Sequence, residues 1–229
     1  IAAIVEVLQR TGRAHLNSLD DYSRTPLAVS AEFGVLASVR ALVSPRAEPN
    51  LRGGLHAMTP LHFAAAGGFP EIAAILLQAR ASVNDHSQYW HGSTPFSATD
   101  IAAIEGHGEV LRLLAAHRAQ VDSFREIRLA AYKGHAEVAA SLLGLQVAVD
   151  TPDEHVGRTP LMHAVRNGHV HMVALLLGAR ADTSAKDCFQ FTARDYCERN
   201  DRISEPTPAL EIHRLLELAT GPHHCVSCG

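Results

Sequence analysis

This chain of 229 residues contains few aromatic residues. It has no cysteine before Cys188 and no excess of positive charge. Only 5% of the residues are aromatic, so the 47% that are hydrophobic are mostly Ala, Leu, Val and Ile. Small aliphatic side chains allow slim helices to pack closely, which favours a stack of helices. A charged fraction of 19% beside this apolar share excludes a disordered chain.

The formal net charge is −4, so the chain lacks the positive field that sequence-independent binding to nucleic acid needs. The uncharged stretch 53–70 contains four Gly and two Pro, which argues against insertion in a membrane. All four cysteines, Cys188, Cys197, Cys225 and Cys228, fall in the last 42 residues and cannot cross-link the body of the fold. We therefore expect reduced thiols and an intracellular, cytoplasmic protein, with the nucleus as the alternative. A first residue other than Met favours a segment of a longer or processed protein.

The strongest signal is an internal repeat. Thr-Pro-Leu begins at Thr25, Thr59 and Thr159, and in each case a Gly follows nine residues after the Thr. Weaker copies of the same frame begin at Ser97, Arg125 and Thr192. The six anchors are 34, 38, 28, 34 and 33 residues apart, so the period is close to 33.

These residues resemble the ankyrin repeat family, whose unit carries Thr-Pro-Leu-His and continues as Gly-His-x-Glu-Val before Leu-Leu. The second half of the pattern occurs at 106–114 and 134–143, and a variant of it at 168–177. The resemblance implies an all-α solenoid of helix-turn-helix units with short β-hairpin or loop tips. It also implies a partial first repeat at 1–19 that supplies a second helix only, about six repeats at 20–219, and a flexible tail at 220–229.

Elementary helix chemistry explains why these residues recur. Pro is preset for the first helical turn, and the hydroxyl of the preceding Thr can accept from the exposed amides there. The Gly at the ninth offset can take the left-handed conformation that ends the first helix. Each repeat is therefore predicted to contain two short helices, and neither can bury its apolar face without a neighbouring repeat.

The chain departs from the family where a left-handed Gly normally ends the second helix. Most repeats have Arg at this position and one has Gln, namely Arg13, Arg46, Arg80, Arg118, Gln146 and Arg180. One interpretation is a scaffold preference, in which the Arg charge meets the carbonyls at the helix end. The alternative is a basic ladder that receives an acidic or phosphorylated partner.

Two connecting turns have unusual lengths. A 17-residue turn, 81–97, contains the only Trp and is predicted to project beyond its neighbours. The 7-residue turn after Arg118 is too short for a full hairpin, so a notch is expected there. In the last repeat, residues 202–208 form an insertion before the second-helix pattern resumes at Glu211.

The fifteen His residues invite a metal or catalytic interpretation. His62, His107, His135 and His169 fall at family positions that normally form structural hydrogen bonds, and Asp85, His86 and His91 share the long turn without a fixed ligand spacing. The tail from His223 to Cys228 contains half of a tetrahedral zinc site, and weakly resembles part of the palmitoyltransferases. We expect no metal, no cofactor and no catalytic residue, and so no enzyme activity.

The predicted function is non-catalytic binding of a protein or peptide, through the hairpin tips and the concave face of the first helices. The alternative is a substrate-recruiting segment of a larger enzyme, such as a ubiquitin ligase, kinase or palmitoyltransferase. We expect a monomer and neither a nucleic-acid partner nor a small-molecule substrate. The resemblance implies binding positions just before Thr-Pro and beside the Ala-Ala core of each first helix. They hold Tyr22, Arg24, Phe33, Phe63, Tyr89, Trp90, Ile104, Tyr132, Lys133, Arg166, Asn167 and Phe189.

Overall fold

The computed structural model describes residues 16–43, 47–54, 56–88, 95–117, 119, 123–199 and 206–220. Helices dominate this part of the chain, and they fall into two compact units that divide after Val121. The predictions for Arg13, Arg46, Arg118 and the C-terminal tail lie outside the described residues, so the proposed limits of the first repeat and of the tail stay predictions.

In the first unit, three helix pairs follow one another along the chain. They are α1 (Pro26–Glu32) with α2 (Leu36–Leu42), α3 (Pro60–Gly67) with α4 (Pro70–Gln78), and α5 (Ala98–Glu105) with α6 (Gly108–Ala116). The first helices α1, α3 and α5 pack side by side in one layer, and α2, α4 and α6 form the other layer. Strands β1 (His86–Ser87) and β2 (Phe96–Ser97) pair antiparallel just before α5, with His86 opposite Ser97.

The second unit repeats the arrangement. Its pairs are α7 (Ser123–Lys133) with α8 (Ala136–Gly144), α9 (Pro160–Arg166) with α10 (Val170–Gly178), and α11 (Ala193–Glu198) with α12 (Pro206–Thr220). Again the first helices α7, α9 and α11 pack in one layer and the second helices in the other. The helix-turn-helix repeat predicted from the sequence is therefore confirmed.

The helix starts are where the anchors predict them. The Thr25 hydroxyl accepts from the Ala28 amide at 3.1 Å, and the Thr159 hydroxyl accepts from the Met162 amide at 3.4 Å. Ser97 caps α5 in the same way, so the weaker copy of the frame is also genuine. In the second unit α7 begins at Ser123, two residues before its anchor Arg125, because no Thr-Pro pair fixes the start there.

Four of the tips in the described part of the chain share one closing bond. The amide of the first tip residue donates to the carbonyl of the last, as in Asp20 to Arg24 at 2.9 Å and Asp187 to Phe191 at 3.1 Å. Neighbouring tips are joined by further backbone hydrogen bonds. These run from the Gly54 amide to Ser23 O, from the Gln88 amide to His56 O, and from the Cys188 amide to Val156 O. The far end of the long turn, residues 89–94, lies outside the described residues, so its projection stays a prediction.

The Arg and Gln residues at the ends of second helices have the left-handed conformation that the repeat frame predicts. The φ angles are +66° at Arg80, +61° at Gln146 and +64° at Arg180. In the first of these, the Arg80 amide donates to Leu77 O and the Ala81 amide to Leu76 O, so the backbone bonds that normally accompany Gly are kept. The left-handed backbone is thus required by the helix end and does not depend on a Gly.

Replacing Arg80 by Gly is expected to leave stability unchanged or to raise it by up to about 1 kcal/mol. Gly removes the steric cost of a side chain at positive φ, and the extra entropy of Gly in the unfolded chain offsets part of that gain. Urea unfolding of Arg80→Gly, with Arg180→Gly as the matched variant in the second unit, measures the effect. A clear loss of stability in both variants would mean that the Arg side chains make stabilising contacts.

Candidate functional site

The structure separates the twelve predicted binding residues by exposure. The side chains of Tyr22, Phe33, Tyr132, Lys133 and Phe189 are exposed, while those of Arg24, Phe63, Arg166 and Asn167 are half-buried. Tyr89 and Trp90 lie outside the described residues.

Ile104 is a correction to this set. Its side chain is only 2% exposed, and every residue of α5 from Ala98 to Ile104 is buried. This helix packs against α3, α6 and strand β2, so the outward position that holds Tyr132 in α7 is part of the core here. Ile104 therefore belongs to the core rather than to an exposed surface.

An open groove of about 170 Å³ lies in the first unit, between two tips and their first helices. We call it the first-unit groove, and it is lined by Tyr22, Arg24, Glu32, Gly53, Gly54, His56, Met58 and Phe63. Three of these, Tyr22, Arg24 and Phe63, were predicted from the sequence. The groove thus gathers residues from the tip before α1, from α1 itself, from the tip before α3 and from α3.

Glycine at two neighbouring positions shapes this groove. A Cβ at Gly53 would lie 2.3 Å from Ser23 O, so only glycine lets the second tip approach the first this closely. Gly54 has φ +75°, and a Cβ there would lie 3.7 Å from both Phe63 Cζ and Arg24 Cγ. The missing side chain at Gly54 therefore leaves the space between Arg24 and Phe63 open.

Two carboxylates hold the Arg24 side chain at one end of the groove. Its Nε and Nη2 donate to Asp20 at 3.1 and 2.9 Å, and its Nη1 donates to Glu32 at 2.6 Å. The guanidinium also lies 4.8 Å from the centre of the Tyr22 ring. The Arg24 amide donates to Asp20 and, with the guanidinium, holds the pKa of Asp20 below its usual value against the opposing effect of burial. These three charged side chains together carry a net negative charge.

The second unit has a different cluster at the equivalent tips. His163 Nε2 lies 3.1 Å from Asp153 Oδ2, and the Tyr132 ring meets the His163 ring edge-on with centroids 6.3 Å apart. Burial lowers the pKa of His163, which favours the neutral ring. Burial opposes ionisation of Asp153, but the Val156 amide and His163 donate to it, and its pKa lies below the usual value.

The next tip is fixed by a similar network. Arg158 Nε donates to the Tyr196 hydroxyl at 2.7 Å, and that hydroxyl donates to Asp187. Asp187 also accepts from the amides of Phe189 and Phe191, both at 2.9 Å. The ionisable groups of this cluster hold the tip backbone, while the rings of Tyr132 and Phe189 remain exposed beside them.

His62 and His107 act structurally, as their family positions implied. The Thr59 amide donates to His62 Nδ1 at 3.2 Å, so Nε2 carries the proton and donates to Asp85 O at 3.1 Å. The His107 ring lies against Gly68, with Nε2 3.1 Å from Ala66 O. His169 makes the same contact in the second unit, with Nε2 3.0 Å from Tyr132 O.

The described part of the chain contains no group of three or more His, Cys, Asp or Glu side chains suited to a metal ion. In the long turn Asp85 is paired with Arg52, while His91 is outside the described residues, as is the tail with Cys225 and Cys228. None of the helices described here is long and apolar enough to cross a membrane.

Sequence reasoning missed five residues of the first-unit groove: Glu32, Gly53, Gly54, His56 and Met58. A signal for Glu32 was present, because it has the same place in its first helix as Tyr132 and Arg166 have in theirs. The adjacent pair Gly53-Gly54 also marked a place where two backbones come close. Nothing in the sequence distinguished His56 or Met58.

Comparison with known proteins agrees with this architecture. A family model described as "Ankyrin repeats (3 copies)" matches residues 127–204, and another described as "Ankyrin repeat" matches residues 56–87. The crystal structure of the human ASB11 ankyrin repeat domain is similar with a TM-score of 0.76 at 22% identity, covering 96% of this chain and 94% of that chain. At this identity the likeness concerns the fold.

Two curated relatives are much longer than the matched segment. Human transient receptor potential cation channel subfamily A member 1 is 31% identical over 185 residues, which is 75% of this chain and 16% of that protein. The mouse B-cell lymphoma 3 protein homolog is 28% identical over 181 residues, which is 73% of this chain and 39% of that protein. The chain therefore spans well under half the length of either relative.

Proposed function

The chain is an ankyrin-repeat protein, and we propose that it acts as a non-catalytic interaction module that binds a protein or peptide through its hairpin tips and the exposed face of its first helices. Ankyrin repeats are generally protein-interaction modules, and repeat stacks of this kind present extended binding surfaces. We assign binding to the tips and first helices because exposed residues lie there, as described above.

The observation that carries the proposal is the exposure of large aromatic side chains on the tips and first helices of each unit. Tyr22, Phe33, Tyr132 and Phe189 are each about half exposed or more, in a chain with only 5% aromatic residues. Aromatic side chains are enriched at the energetic centres of protein interfaces. Their contacts within the chain, such as Tyr22 with Arg24 and Tyr132 with His163, leave much of each ring in water, so a partner that covers the exposed area accounts for their position.

The kind of partner follows from charge and redox chemistry. A formal net charge of −4 disfavours a nucleic acid. The described cysteines Cys188 and Cys197 are free thiols, which fits our inference of an intracellular location. We further infer that the chain works as a monomer.

We expect Tyr22→Ala combined with Tyr132→Ala to weaken partner binding at least tenfold without unfolding the chain. Tyr22 is 68% exposed and Tyr132 47% exposed, so both changes remove contact area from the surface rather than from the core. The measurement is affinity capture with the intact chain, followed by mass spectrometry and a binding titration of the recovered partner. Circular dichroism and the melting temperature verify the fold of each variant.

The matched control removes two exposed leucines from the second-helix side, Leu145→Ala with Leu218→Ala. This double variant should bind the partner as the original chain does. If the tyrosine variant still binds the partner and the leucine variant does not, the binding face lies on the second helices. Unfolding of the tyrosine variant would instead mean that these rings belong to the core.

A further inference from the structure

We propose that the first-unit groove binds a peptide segment of the partner protein that carries a lysine or arginine next to an apolar side chain. This inference rests on the proposed function and specifies the chemistry of one of its contact points. It follows from the apolar half of the groove, its charged half and the open space between them.

The apolar half is built from Tyr22, Met58 and Phe63. The Tyr22 ring is exposed, the Phe63 ring is half-buried, and Met58 is buried beside them. An apolar side chain that entered the groove would displace water and cover the exposed ring, which is favourable in proportion to the apolar area buried.

The open space has a specific origin. Gly54 lacks the side chain that would point towards Phe63 and Arg24, and its amide is already used in the bond to Ser23 O at 3.2 Å. The backbone at Gly54 therefore forms this part of the groove surface, and its amide is not free to bind a ligand. A ligand side chain can approach this backbone closely. A side chain of the bound peptide would occupy the space that a side chain at position 54 would otherwise fill.

The charged half selects a cation. The Arg24 guanidinium donates its hydrogen bonds to Asp20 and Glu32, so its charge is already neutralised and it is a poor partner for an acidic peptide. Two carboxylates beside one guanidinium leave one negative charge in excess. The Glu32 side chain is 33% exposed and lines the groove, and only one of its oxygens bonds to Arg24.

The two halves together define the ligand. An ammonium or guanidinium group would gain a charged hydrogen bond at Glu32 and the field of Asp20, whereas a carboxylate would be repelled by both. A neighbouring apolar side chain would reach Tyr22 and Phe63. A basic residue alone would leave the rings exposed, and an apolar residue alone would leave the excess negative charge without a partner.

The test is a selection from a phage-displayed library of random twelve-residue peptides against the intact chain. Enriched peptides should carry Lys or Arg next to an apolar residue and should have a net positive charge. A synthetic peptide of the enriched sequence, labelled with fluorescein, is then titrated by anisotropy. We expect its affinity to fall about tenfold in Glu32→Gln and in Tyr22→Ala, and to weaken when the salt concentration rises.

Matched variants separate binding from folding. Gln at position 32 still offers an oxygen to Arg24, so Glu32→Gln removes charge with little structural change. Glu71→Gln removes one carboxylate from the exposed side of α4 in the same unit and should leave binding unchanged. Circular dichroism confirms that all three variants are folded.

Other results would overturn the inference. Enrichment of acidic peptides, or an affinity that is the same in Glu32→Gln and Glu71→Gln, would exclude the groove as a cation site while leaving the interaction function intact. No enrichment from the library, with a partner still recovered by affinity capture, would also reject the inference alone. Failure of both the selection and the affinity capture would count against the proposed function itself.

Discussion

Gly68→Ala should lower the free energy of unfolding by about 2–3 kcal/mol. Gly68 has φ +69°, a conformation that costs a residue with a Cβ about 1–2 kcal/mol. The new Cβ would also lie 2.4 Å from His107 Nδ1, so the imidazole ring must move. Its bond to Ala66 O, 3.1 Å in length, would then be lost at a further cost of about 1 kcal/mol.

Chemical denaturation of two further variants tests this explanation. Gly144→Ala changes a glycine at the end of α8 whose Cβ would meet nothing within 4 Å, and it should be neutral or slightly stabilising. His107→Ala in the Gly68→Ala background should cost less than His107→Ala alone, because the clash has already displaced the ring. Additive costs would show that the ring contact plays no part.

Acidification from pH 6.5 to pH 4 should remove about 3 kcal/mol of stability through His62 alone. Burial lowers the pKa of His62 to about 4 from an ordinary value of 6.5. Between these two pH values the unfolded chain binds a proton that the folded chain does not, so stability falls as the pH falls. The contribution of the neutral ring is fully present above pH 6.5 and is lost as the pH approaches 4.

The control for this prediction is His62→Gln. Gln at this third helical position can still accept the Thr59 amide but does not titrate. Urea unfolding of both chains across pH 4–7 gives the free energy of unfolding at each pH, and the two slopes against pH are compared. The contributions of the carboxylates and of the other histidines cancel in this comparison. If the stability of the two chains depends on pH in the same way, the pKa of His62 is the same in the folded and unfolded states.

Much of the fold could be predicted because each helix boundary depends on a local rule. Thr59 and Pro60 start α3 and Gly68 ends it, since capping and the left-handed conformation depend on residues within one turn. The left-handed Arg80 and Arg180 could be predicted as well, because the repeat frame places them where the family has Gly.

The tip conformations could not be predicted. Ser23, Ala57 and Gln190 all have positive φ two residues before a Thr anchor, yet they share no side-chain chemistry. In these three tips the closing hydrogen bond joins two backbone groups and leaves no mark on the sequence, and two of them, the tips of Asp20 and Asp187, add a carboxylate that accepts from tip amides. Local sequence rules therefore predict the helices but not the conformations of the tips that connect them.

The candidate site was predicted in part for a related reason. Tyr22, Arg24 and Phe63 were found from their places in the repeat frame, and they do line one groove. Ile104 was wrong because the frame treats all first helices alike, whereas every residue of α5 from Ala98 to Ile104 is buried. Whether an outward position is exposed depends on its neighbours in space, which differ from one repeat to the next.

Successive tips are joined by bonds between main-chain groups, such as the Gln88 amide with His56 O at 2.8 Å and the Cys188 amide with Val156 O at 2.9 Å. Every residue except proline brings the same amide and carbonyl, so these bonds do not depend on the side chains of the residues that make them. Gly53 is an exception among the tips, because a Cβ there would lie 2.3 Å from Ser23 O. Mutations at exposed tip residues such as Tyr22 or Phe189 can accumulate without loosening one repeat from the next. Evolution can thus exchange one binding partner for another by single surface substitutions, while the ladder of tips beneath stays the same.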